Sequence, residues 1–246
     1  MLLKEKTIES IKNFKKEHHL LDNLSKIENS GIQVLTFEEA AYPKLLTQIE
    51  DLPAALFVKS RVQVTSQAWQ NLFNHTLSVV GTRRMSAYGR LVINRLIPDL
   101  SSAEQVIVSG FMYGVDLFAA QTALTHGGQT VAVLGYGLNC CFPASQRKIM
   151  QQFFEQGAIF LSEFIPETPA RAANFVTRNR IVAALSKATL IIEAASRSGS
   201  HITASDAADY GRLVLAVPGP ITNPFSEGTK ILINQGAILV NNAMDV

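Results

Sequence analysis

The stretch LSVVGTRRMSAYGR, residues 77–90, determines the fold class of this chain. Its apolar, β-branched start predicts a buried strand at Leu77–Val80, and Gly81 ends that strand in a turn. Ser86 is a typical helix N-cap, so the residues that follow it are expected to form a helix. A strand that passes through a glycine turn into a helix is the unit from which parallel α/β sheets are built.

The alternation of short apolar runs and helical stretches continues along the chain. Further strands are predicted at residues 105–108, 131–134, 158–161, 189–192, 213–217 and 237–240. This alternation is typical of βαβ units and predicts an α/β fold with a mostly parallel sheet. The first four of these seven strands run directly into Gly or Ser. Because open parallel sheets bind ligands at the carboxyl ends of their strands, we expect a binding site at that edge.

Length and composition limit the class of protein. A chain of 246 residues, 47% of them hydrophobic, can bury one α/β core and a small additional module. The helical spacing of Ile8, Ile11 and Phe14 predicts a short helical N-terminal module over residues 1–40, and residues 41–246 are assigned to the α/β domain. The net charge of +2 is too small to indicate a partner, because a nucleic-acid site needs clustered basic residues.

Several features favour a cytoplasmic location. The first residues, MLLKEKTIESIKNFKKEHHLL, carry charges every few positions, unlike a signal peptide or a membrane span, so no membrane association is expected. The two cysteines, Cys140 and Cys141, are adjacent, and adjacent cysteines rarely form a disulfide, which favours a reducing compartment. The five histidines show no ligand spacing with the cysteines or carboxylates, so no metal is expected.

Three predicted strand ends share the features of an anion site. They are the turn with Gly81, Thr82, Arg83 and Arg84, the turn with Ser109, Gly110 and Tyr113, and the turn with Gly135, Tyr136 and Gly137. Glycine lets backbone N–H groups approach a phosphate, a helix N-terminus adds positive potential, and arginine offers a planar fork. The alternative for the first turn is a tight turn with two solvated arginines. The last of these turns lacks the third glycine and the trailing acidic residue of a dinucleotide site, so no cofactor is predicted.

A fourth group of polar residues precedes a short predicted helix. Arg178, Asn179 and Arg180 could clasp a nucleic-acid backbone there. The alternative is that one arginine pairs with a carboxylate such as Glu163 or Glu193 and only holds the loop. At least one of the two arginines is therefore assigned to structure.

Two further groups could extend the site. Ser198, Gly199 and Ser200 form either an amide cradle for phosphate or an N-cap turn that satisfies its own backbone. Arg147 and Lys148 form either a positive rim or a solvated helix face.

Catalytic constellations are scarce on these loops. They hold no Ser-His-Asp arrangement and no paired carboxylates. Asp116 is interpreted as a cap of the next helix, and Glu163 as the partner of a basic residue. No catalytic residue is predicted.

Taken in order, these turns resemble the DprA/Smf family of DNA-processing proteins, from about residue 42 to residue 240. The matching segments are Tyr42-Pro43, Val80-Gly81-Thr82-Arg83 with Tyr88-Gly89, Val108-Ser109-Gly110 with Gly114-Val115-Asp116, Val133 to Leu138 with Phe142-Pro143, Ser162-Glu163, Phe175 with Arg178-Asn179-Arg180-Ile181, Ser198-Gly199-Ser200 with Ile202-Thr203-Ala204, Gly211-Arg212, Ala216 to Gly219, and Gly228-Thr229 with Gly236-Ala237. So long an ordered set makes the resemblance specific.

The resemblance implies an extended Rossmann-like fold with helices on both faces of the sheet. It also implies a basic pocket for single-stranded DNA, a homodimer, no covalent chemistry, and the loading of RecA recombinase onto incoming DNA during natural transformation. Arg83 falls on the family's phosphate-contacting arginine, and Tyr113 or Tyr136 is a candidate for stacking a base. The residues expected to bind DNA are Gly81, Thr82, Arg83, Arg84, Ser109, Gly110, Tyr113, Gly135, Tyr136, Gly137, Arg147, Lys148, Arg178, Asn179, Arg180, Ser198, Gly199 and Ser200.

The chain departs from the family pattern at four positions and in one module. Ala120, Asn139, Val176 and Lys230 stand where the family often has His, Asp, Pro and Asn. The family's C-terminal winged-helix-like domain is not recognised here, so the contacts made by that domain are not expected.

Two other functions remain open. Related Rossmann-like enzymes cleave a base from a ribose phosphate through a Pro-Gly-Gly-x-Gly-Thr-x-x-Glu motif. The corresponding turn, Ser198 to Asp206, lacks the paired glycines, but Asp206 lies three residues beyond Thr203. The other interpretation of Asp206 is a helix acid favoured by the macrodipole. The last alternative is a regulatory nucleotide sensor that uses the same pocket for a mononucleotide.

Overall fold

The fold was analysed in a computed structural model that describes residue 27 and residues 29–246. The short helical module was expected over residues 1–40, and its first 26 residues lie outside the described residues.

Nine strands of the described chain form a single sheet. They are Gln33–Thr36 (β1), Ala55–Lys59 (β2), Thr76–Val80 (β3), Val106–Ser109 (β4), Thr130–Val133 (β5), Ile159–Ser162 (β6), Ala188–Ile191 (β7), Leu213–Ala216 (β8) and Ile238–Leu239 (β9). Their order is β1-β2-β6-β5-β4-β3-β7-β8-β9, and every pair from β6 to β9 is parallel. The predicted α/β fold with a mostly parallel sheet is confirmed.

The main helices of residues 29–246 connect these strands. They are Gln67–Leu72 (α1), Ala87–Ser102 (α2), Val115–Thr125 (α3), Arg147–Glu155 (α4), Ala172–Ala184 (α5), Ser200–Asp209 (α6) and Glu227–Asn234 (α7). None of the helices in this part of the chain combines the length and the hydropathy needed to cross a bilayer.

The helices cover both faces of the sheet because successive strand residues point in opposite directions. Leu77 and Val79 of β3 are buried in a cluster with residues of α2 and α3. Val80, the next residue, is buried in a different cluster with residues of α5, α6 and α7. The residues of the central strands β3 and β4 are therefore buried in succession rather than in alternation, as expected for strands that are covered on both faces.

The sheet begins earlier than the domain boundary expected at residue 41. Strand β1 pairs antiparallel with β2, with Gln33 opposite Val58, and β2 pairs antiparallel with β6. Only Leu35 of β1 is buried, so this four-residue edge strand carries too little alternation to distinguish it from the helical pattern before it. Residues 33–36 thus belong to the sheet rather than to a separate N-terminal module.

The position of β3 creates the crevice in which the site lies. Strand β3 is flanked by β4 on one side and β7 on the other, and both pairs are parallel. From β3, the strands β4, β5 and β6 extend the sheet in one direction, and β7, β8 and β9 extend it in the opposite direction. The carboxyl end of β3 is therefore a topological switch point, where open α/β sheets leave a crevice between diverging connections.

Candidate functional site

An open cavity of about 500 Å³ occupies this crevice. The turns that follow β3, β4 and β7 form three of its walls, and helix α5 forms part of the floor. Ten of the residues expected to bind DNA line it: Gly81, Thr82, Arg83, Arg84, Gly110, Arg178, Asn179, Ser198, Gly199 and Ser200. The structure thus brings together residues that are up to 119 positions apart, from residue 81 to residue 200.

The turn after β3 is held by Glu193, a buried residue just beyond β7. The Glu193 carboxylate accepts hydrogen bonds from the Ser86 backbone N–H at 2.8 Å, from the Ser86 hydroxyl at 2.5 Å and from the Asn223 side-chain amide at 3.0 Å. Its backbone carbonyl accepts a hydrogen bond from the Thr82 N–H at 2.7 Å. Four donors thus fix the shape of this turn.

Glu193 also changes the expected role of the α2 N-terminus. Ser86 is the N-cap, and its hydroxyl accepts a hydrogen bond from the Gly89 N–H at 3.3 Å, which confirms the sequence prediction. However, a Cβ at Gly89 would lie 2.4 Å from a Glu193 carboxylate oxygen. An internal carboxylate therefore already occupies the positive end of this helix, and the prediction that the helix end itself contributes to the anion site is wrong.

Arg83 and Arg84 extend from this turn into solvent. Neither forms an ion pair with a carboxylate of residues 29–246. The Arg83 guanidinium lies 5.9 Å from the centroid of the Phe175 ring, a separation typical of a cation–π contact. This contact with the ring restrains the Arg83 side chain at the cavity. Arg83 is therefore positioned to bind an anion at the mouth of the cavity.

Arg178 has a different role, because it is buried beneath the cavity with 3% of its surface exposed. Its Nη1 donates to the Gly110 carbonyl at 2.6 Å and to the Val133 carbonyl. A Cβ at Gly110 would lie 2.5 Å from this guanidinium, so glycine is needed for the close approach. Arg178 holds the ends of β4 and β5 together and does not present its guanidinium to solvent as the sequence suggested.

The residues around Arg178 lie inside a helix, not before one. The sequence prediction placed Arg178, Asn179 and Arg180 ahead of a helix at residues 181–185, whereas α5 extends from Ala172 to Ala184. The first half of α5 contains Asn and β-branched residues, which have low helix propensity. The packing of Phe175 and the buried contacts of Arg178 override that propensity.

Asp116 is the buried carboxylate of the cavity floor, with 8% of its surface exposed. Burial raises the pKa of Asp116 to about 6, while the Arg178 charge, the backbone N–H groups of Met112 and Gly110, and the Arg83 charge oppose that rise. Its interpretation as a helix cap is wrong, because the N-cap of α3 is Gly114 and Asp116 lies within the first turn.

The turn after β7 completes the cavity. The Ser200 hydroxyl donates to the Ser198 hydroxyl oxygen at 2.8 Å, and α6 begins at Ser200. A Cβ added at Gly199 would have no atom within 4 Å, so the backbone there is open to a ligand. Arg197 also lines the cavity and is exposed. Arg197 was not among the residues expected to bind DNA, although its place in this turn was a usable signal.

Tyr136 and its neighbours do not face the cavity. Tyr136 is 1% exposed, and its hydroxyl donates to the Phe142 carbonyl at 3.3 Å. Burial raises the pKa of the Tyr136 hydroxyl to about 12. The prediction that Tyr136 could stack a base is therefore wrong, since its ring is part of the core. A Cβ at Gly137 would lie 2.1 Å from the Ile165 carbonyl oxygen, and one at Gly135 would lie 2.8 Å from the ring of Phe175, so these glycines serve packing.

Arg180 lies outside the cavity lining and is engaged in ion pairs. It contacts Glu163 at 2.6 Å and Asp51 at 2.9 Å, and its side chain is 13% exposed. This confirms the alternative in which one arginine pairs with Glu163. The pairs connect the carboxyl end of β6 to the segment between β1 and β2, so Arg180 stabilises the fold.

The remaining predicted residues are not part of the cavity lining either. Ser109 is 1% exposed at the end of β4. Tyr113 is 43% exposed, and its hydroxyl is 2.8 Å from the Ser145 hydroxyl. Arg147 and Lys148 are exposed in the first turn of α4. Tyr113, Arg147 and Lys148 lie on the accessible surface outside the cavity.

The aromatic pair of Phe142 and Phe175 was not among the expected site residues, although the Phe175 ring lies beside Arg83. The two ring centroids are 5.7 Å apart, and Phe142 is 45% exposed. Both residues belong to segments that resemble the family, and neither was predicted to contact DNA. Aromatic residues that follow a Cys pair or precede an Arg-Asn-Arg run carry no local signal of being neighbours in space.

No group of three or more His, Cys, Asp or Glu residues within residues 29–246 could hold a metal ion. Arginines, backbone amides, serine hydroxyls and the buried Asp116 carboxylate line the cavity, and the Phe175 ring lies at its border.

Comparisons with known proteins assign this architecture to a family. The sequence model of DNA recombination-mediator protein A matches residues 33–246. The chain is 39% identical over 224 residues to protein Smf of Escherichia coli, a match that covers 91% of this chain and 58% of the relative. It is 33% identical over 223 residues to the DNA processing protein DprA of Bacillus subtilis, covering 91% of this chain and 73% of that protein. The chain thus spans little more than half the length of the Escherichia coli relative.

Two solved structures share the fold. The X-ray structure of DprA from Streptococcus pneumoniae superposes with a TM-score of 0.79 and 34% identity, covering 87% of this chain and 73% of that one. A structure that describes the single-stranded DNA binding mode of DprA from Helicobacter pylori superposes with a TM-score of 0.74 and 27% identity, covering 87% of this chain and 93% of that one. The sequence matches span most of the chain and agree with the structural ones, so this chain belongs to the DNA recombination-mediator protein A family, the DprA/Smf proteins.

Proposed function

We propose that this chain binds single-stranded DNA in the crevice at the carboxyl ends of β3, β4 and β7. The observation that carries the proposal is the position of Arg83. Its side chain is exposed at the cavity and its guanidinium lies beside the ring of Phe175. The related Helicobacter pylori protein is described as binding single-stranded DNA, which supports the same ligand here.

The cavity suits a phosphate backbone better than a base sequence. Arg83, Arg84 and Arg197 are exposed around one opening, and each can donate a planar pair of N–H groups to phosphate oxygens. The open backbone at Gly199 allows close approach of a ligand. Contacts of this kind set affinity and register without reading sequence, so binding is expected to be general for single strands.

The border of the cavity provides a reason for single strands to be preferred over duplexes. The Phe175 ring lies beside Arg83, and the Phe142 ring packs against Phe175. The faces of unpaired bases can stack on such rings. Bases in a duplex are already stacked and paired. The Tyr113 ring offers a further exposed face.

The proposed role in the cell is that of a recombination mediator that loads RecA recombinase onto the bound strand. The membership of the chain in the recombination-mediator family supports it. The homodimer that accompanies this role is proposed to use the C-terminal edge of the sheet. There Ile238 and Leu239 of the edge strand β9 are 45% and 40% exposed, and an edge strand is a natural surface for association.

The proposal includes binding without covalent chemistry. The rival N-glycosidase function depends on Asp206, which is absent from the lining of the cavity. Burial raises the pKa of Asp206, and the nearby charges of Asp51 and Asp209 raise it further. Neither of those two carboxylates lines the cavity. The carboxylate within the cavity is Asp116, and it faces Arg178 and backbone N–H groups.

The test is binding of a fluorescent oligothymidine and of its duplex over a salt series. The chain is compared with Arg83→Ala and with Arg95→Ala, a matched control that removes an exposed arginine of α2 away from this cavity. We expect preference for the single strand, weaker binding by Arg83→Ala, and a log–log salt slope that is shallower by about 0.7 in that variant. Binding that is equal for both variants, or that does not distinguish single strand from duplex, would contradict the proposal.

A further inference from the structure

A second cavity, of about 440 Å³, lies between the end of β2, helix α4 and the loop that follows β5. Its lining includes both cysteines of the chain, Cys140 and Cys141, together with Met150 of α4. The proposed DNA site uses none of these three residues. Their sulfur atoms are the chemically distinctive groups of this cavity.

The side chains of Cys140, Cys141 and Met150 are each half-buried. Cys140 and Met150 pack against one apolar cluster, which contains Phe153 and Phe160. Both cysteines are free thiols. The Cys141 thiol makes only a weak contact with the Pro143 carbonyl, at 3.5 Å. Two thiols and a thioether are thus held around one cavity and remain available as ligands.

The charges around the cavity favour an anionic complex. Lys59 and Arg147 line the same cavity as the sulfur atoms. If a univalent cation replaces the protons of both thiols, two protons are released and the complex carries one negative charge. The two basic side chains can balance that charge.

The donor set discriminates between metal ions. Thiolate and thioether ligands are soft and select soft ions such as Cu(I). A structural zinc site takes four ligands from Cys, His and carboxylates, and a thioether is not one of them. Two thiolates and one thioether therefore match Cu(I) better than zinc.

We propose that Cys140, Cys141 and Met150 form a three-sulfur binding site for a soft univalent cation, represented by Cu(I). Binding forms two Cu–thiolate bonds and one Cu–thioether bond, breaks two S–H bonds and changes no oxidation state. The inference does not depend on the proposed DNA binding.

The test is an anaerobic titration of the full chain with Cu(I) in competition with the chromophoric chelator bicinchoninate. We expect one Cu(I) per chain with near-ultraviolet Cu–thiolate absorption. Loss of a residue that only supports a metal ligand lowers affinity by about 10–100-fold, so Cys140→Ser and Cys141→Ser should each lower it at least that much. Met150→Leu, a change that nearly conserves volume, should lower affinity by at least about tenfold.

Met244→Leu is the matched control, because this thioether is 94% exposed and lies outside the cavity. Thermal unfolding of each metal-free variant verifies that the fold is retained. Cu(I) affinity that is unchanged in the double variant Cys140→Ser/Cys141→Ser would overturn the proposal. Equal affinities of Met150→Leu and Met244→Leu, or an X-ray absorption spectrum of the Cu(I) complex with only two sulfur neighbours, would overturn the three-sulfur coordination.

Discussion

The Glu193 carboxylate accepts two hydrogen bonds from Ser86, one from the backbone N–H at 2.8 Å and one from the hydroxyl at 2.5 Å. This contact joins the end of β7 to the start of α2, two elements that flank the cavity. It places an internal negative charge where a helix N-terminus would otherwise attract a ligand. Anion binding at this crevice is thereby left to the arginines and to the other turns.

Replacement Glu193→Gln should destabilise the fold by about 1–3 kcal/mol, because the new amide group turns N–H donors toward the donors of Ser86 and Asn223. Urea unfolding measures the change. The control is Glu227→Gln, which alters a half-exposed glutamate paired with Lys230 at the surface. Equal losses in the two variants would show that the buried contact does not hold the turn.

The two glycines Gly137 and Gly199 should respond oppositely to alanine. A methyl group at Gly137 meets the Ile165 carbonyl oxygen at 2.1 Å, whereas one at Gly199 meets no atom within 4 Å. We expect Gly137→Ala to lose about 1–3 kcal/mol by overpacking and Gly199→Ala to stay within about 0.5 kcal/mol of the parent. Denaturant unfolding measures both. A tolerated Gly137→Ala would mean that the loop near Ile165 yields readily, so that packing does not require this glycine.

The strands were predictable because their local signal is strong. Each of the seven predicted strands is found within one residue of its expected bounds at either end, since a short apolar run between turn residues has few other interpretations. The turns at Gly81 and Ser198 could also be assigned to one site, because they follow strands of a parallel sheet and the carboxyl ends of such strands meet at one edge.

The roles of individual side chains were less predictable, because they depend on contacts distant in sequence. Arg178 and Gly110 are separated by 68 positions, and nothing near Arg178 indicates that its guanidinium is enclosed. Tyr136 was a candidate for base stacking, yet its ring is buried and its hydroxyl donates to the Phe142 carbonyl. The local sequence pattern thus located the crevice, but it did not distinguish the residues that line the crevice from the buried residues that support it.

Removal of the Arg178 guanidinium should be far more costly than removal of a surface arginine. Arg178→Met leaves the carbonyls of Gly110 and Val133 without this donor and leaves Asp116 without a buried positive neighbour. Breaking a buried charged contact typically costs about 3–5 kcal/mol. Arg171→Met, at an exposed position before α5, is the control, and urea unfolding compares the two. A small effect at Arg178 would mean that water replaces its contacts.

The last prediction concerns the pH dependence conferred by Asp116. Burial raises the pKa of Asp116 from 3.8 to about 6 in the folded chain. Between these values the folded state binds more protons than the unfolded state, so the contribution of Asp116 to stability falls as pH rises from about 4 to about 6. The full fall is on the order of 3 kcal/mol, since each pKa unit corresponds to about 1.36 kcal/mol.

Asp116→Asn should remove this dependence. Urea unfolding at several pH values gives the free energy of unfolding of the parent and of the variant. The value for the parent minus the value for the variant should fall as pH rises to about 6 and stay level above it. In the parent, protonation also removes a negative charge from the floor of the cavity. Single-stranded DNA affinity at fixed salt should therefore rise below about pH 6 in the parent and change less in the variant. If this difference stays constant or rises with pH, Asp116 is ionised in the folded chain throughout. The attraction of the Arg178 charge then has a larger effect on the Asp116 pKa than burial has.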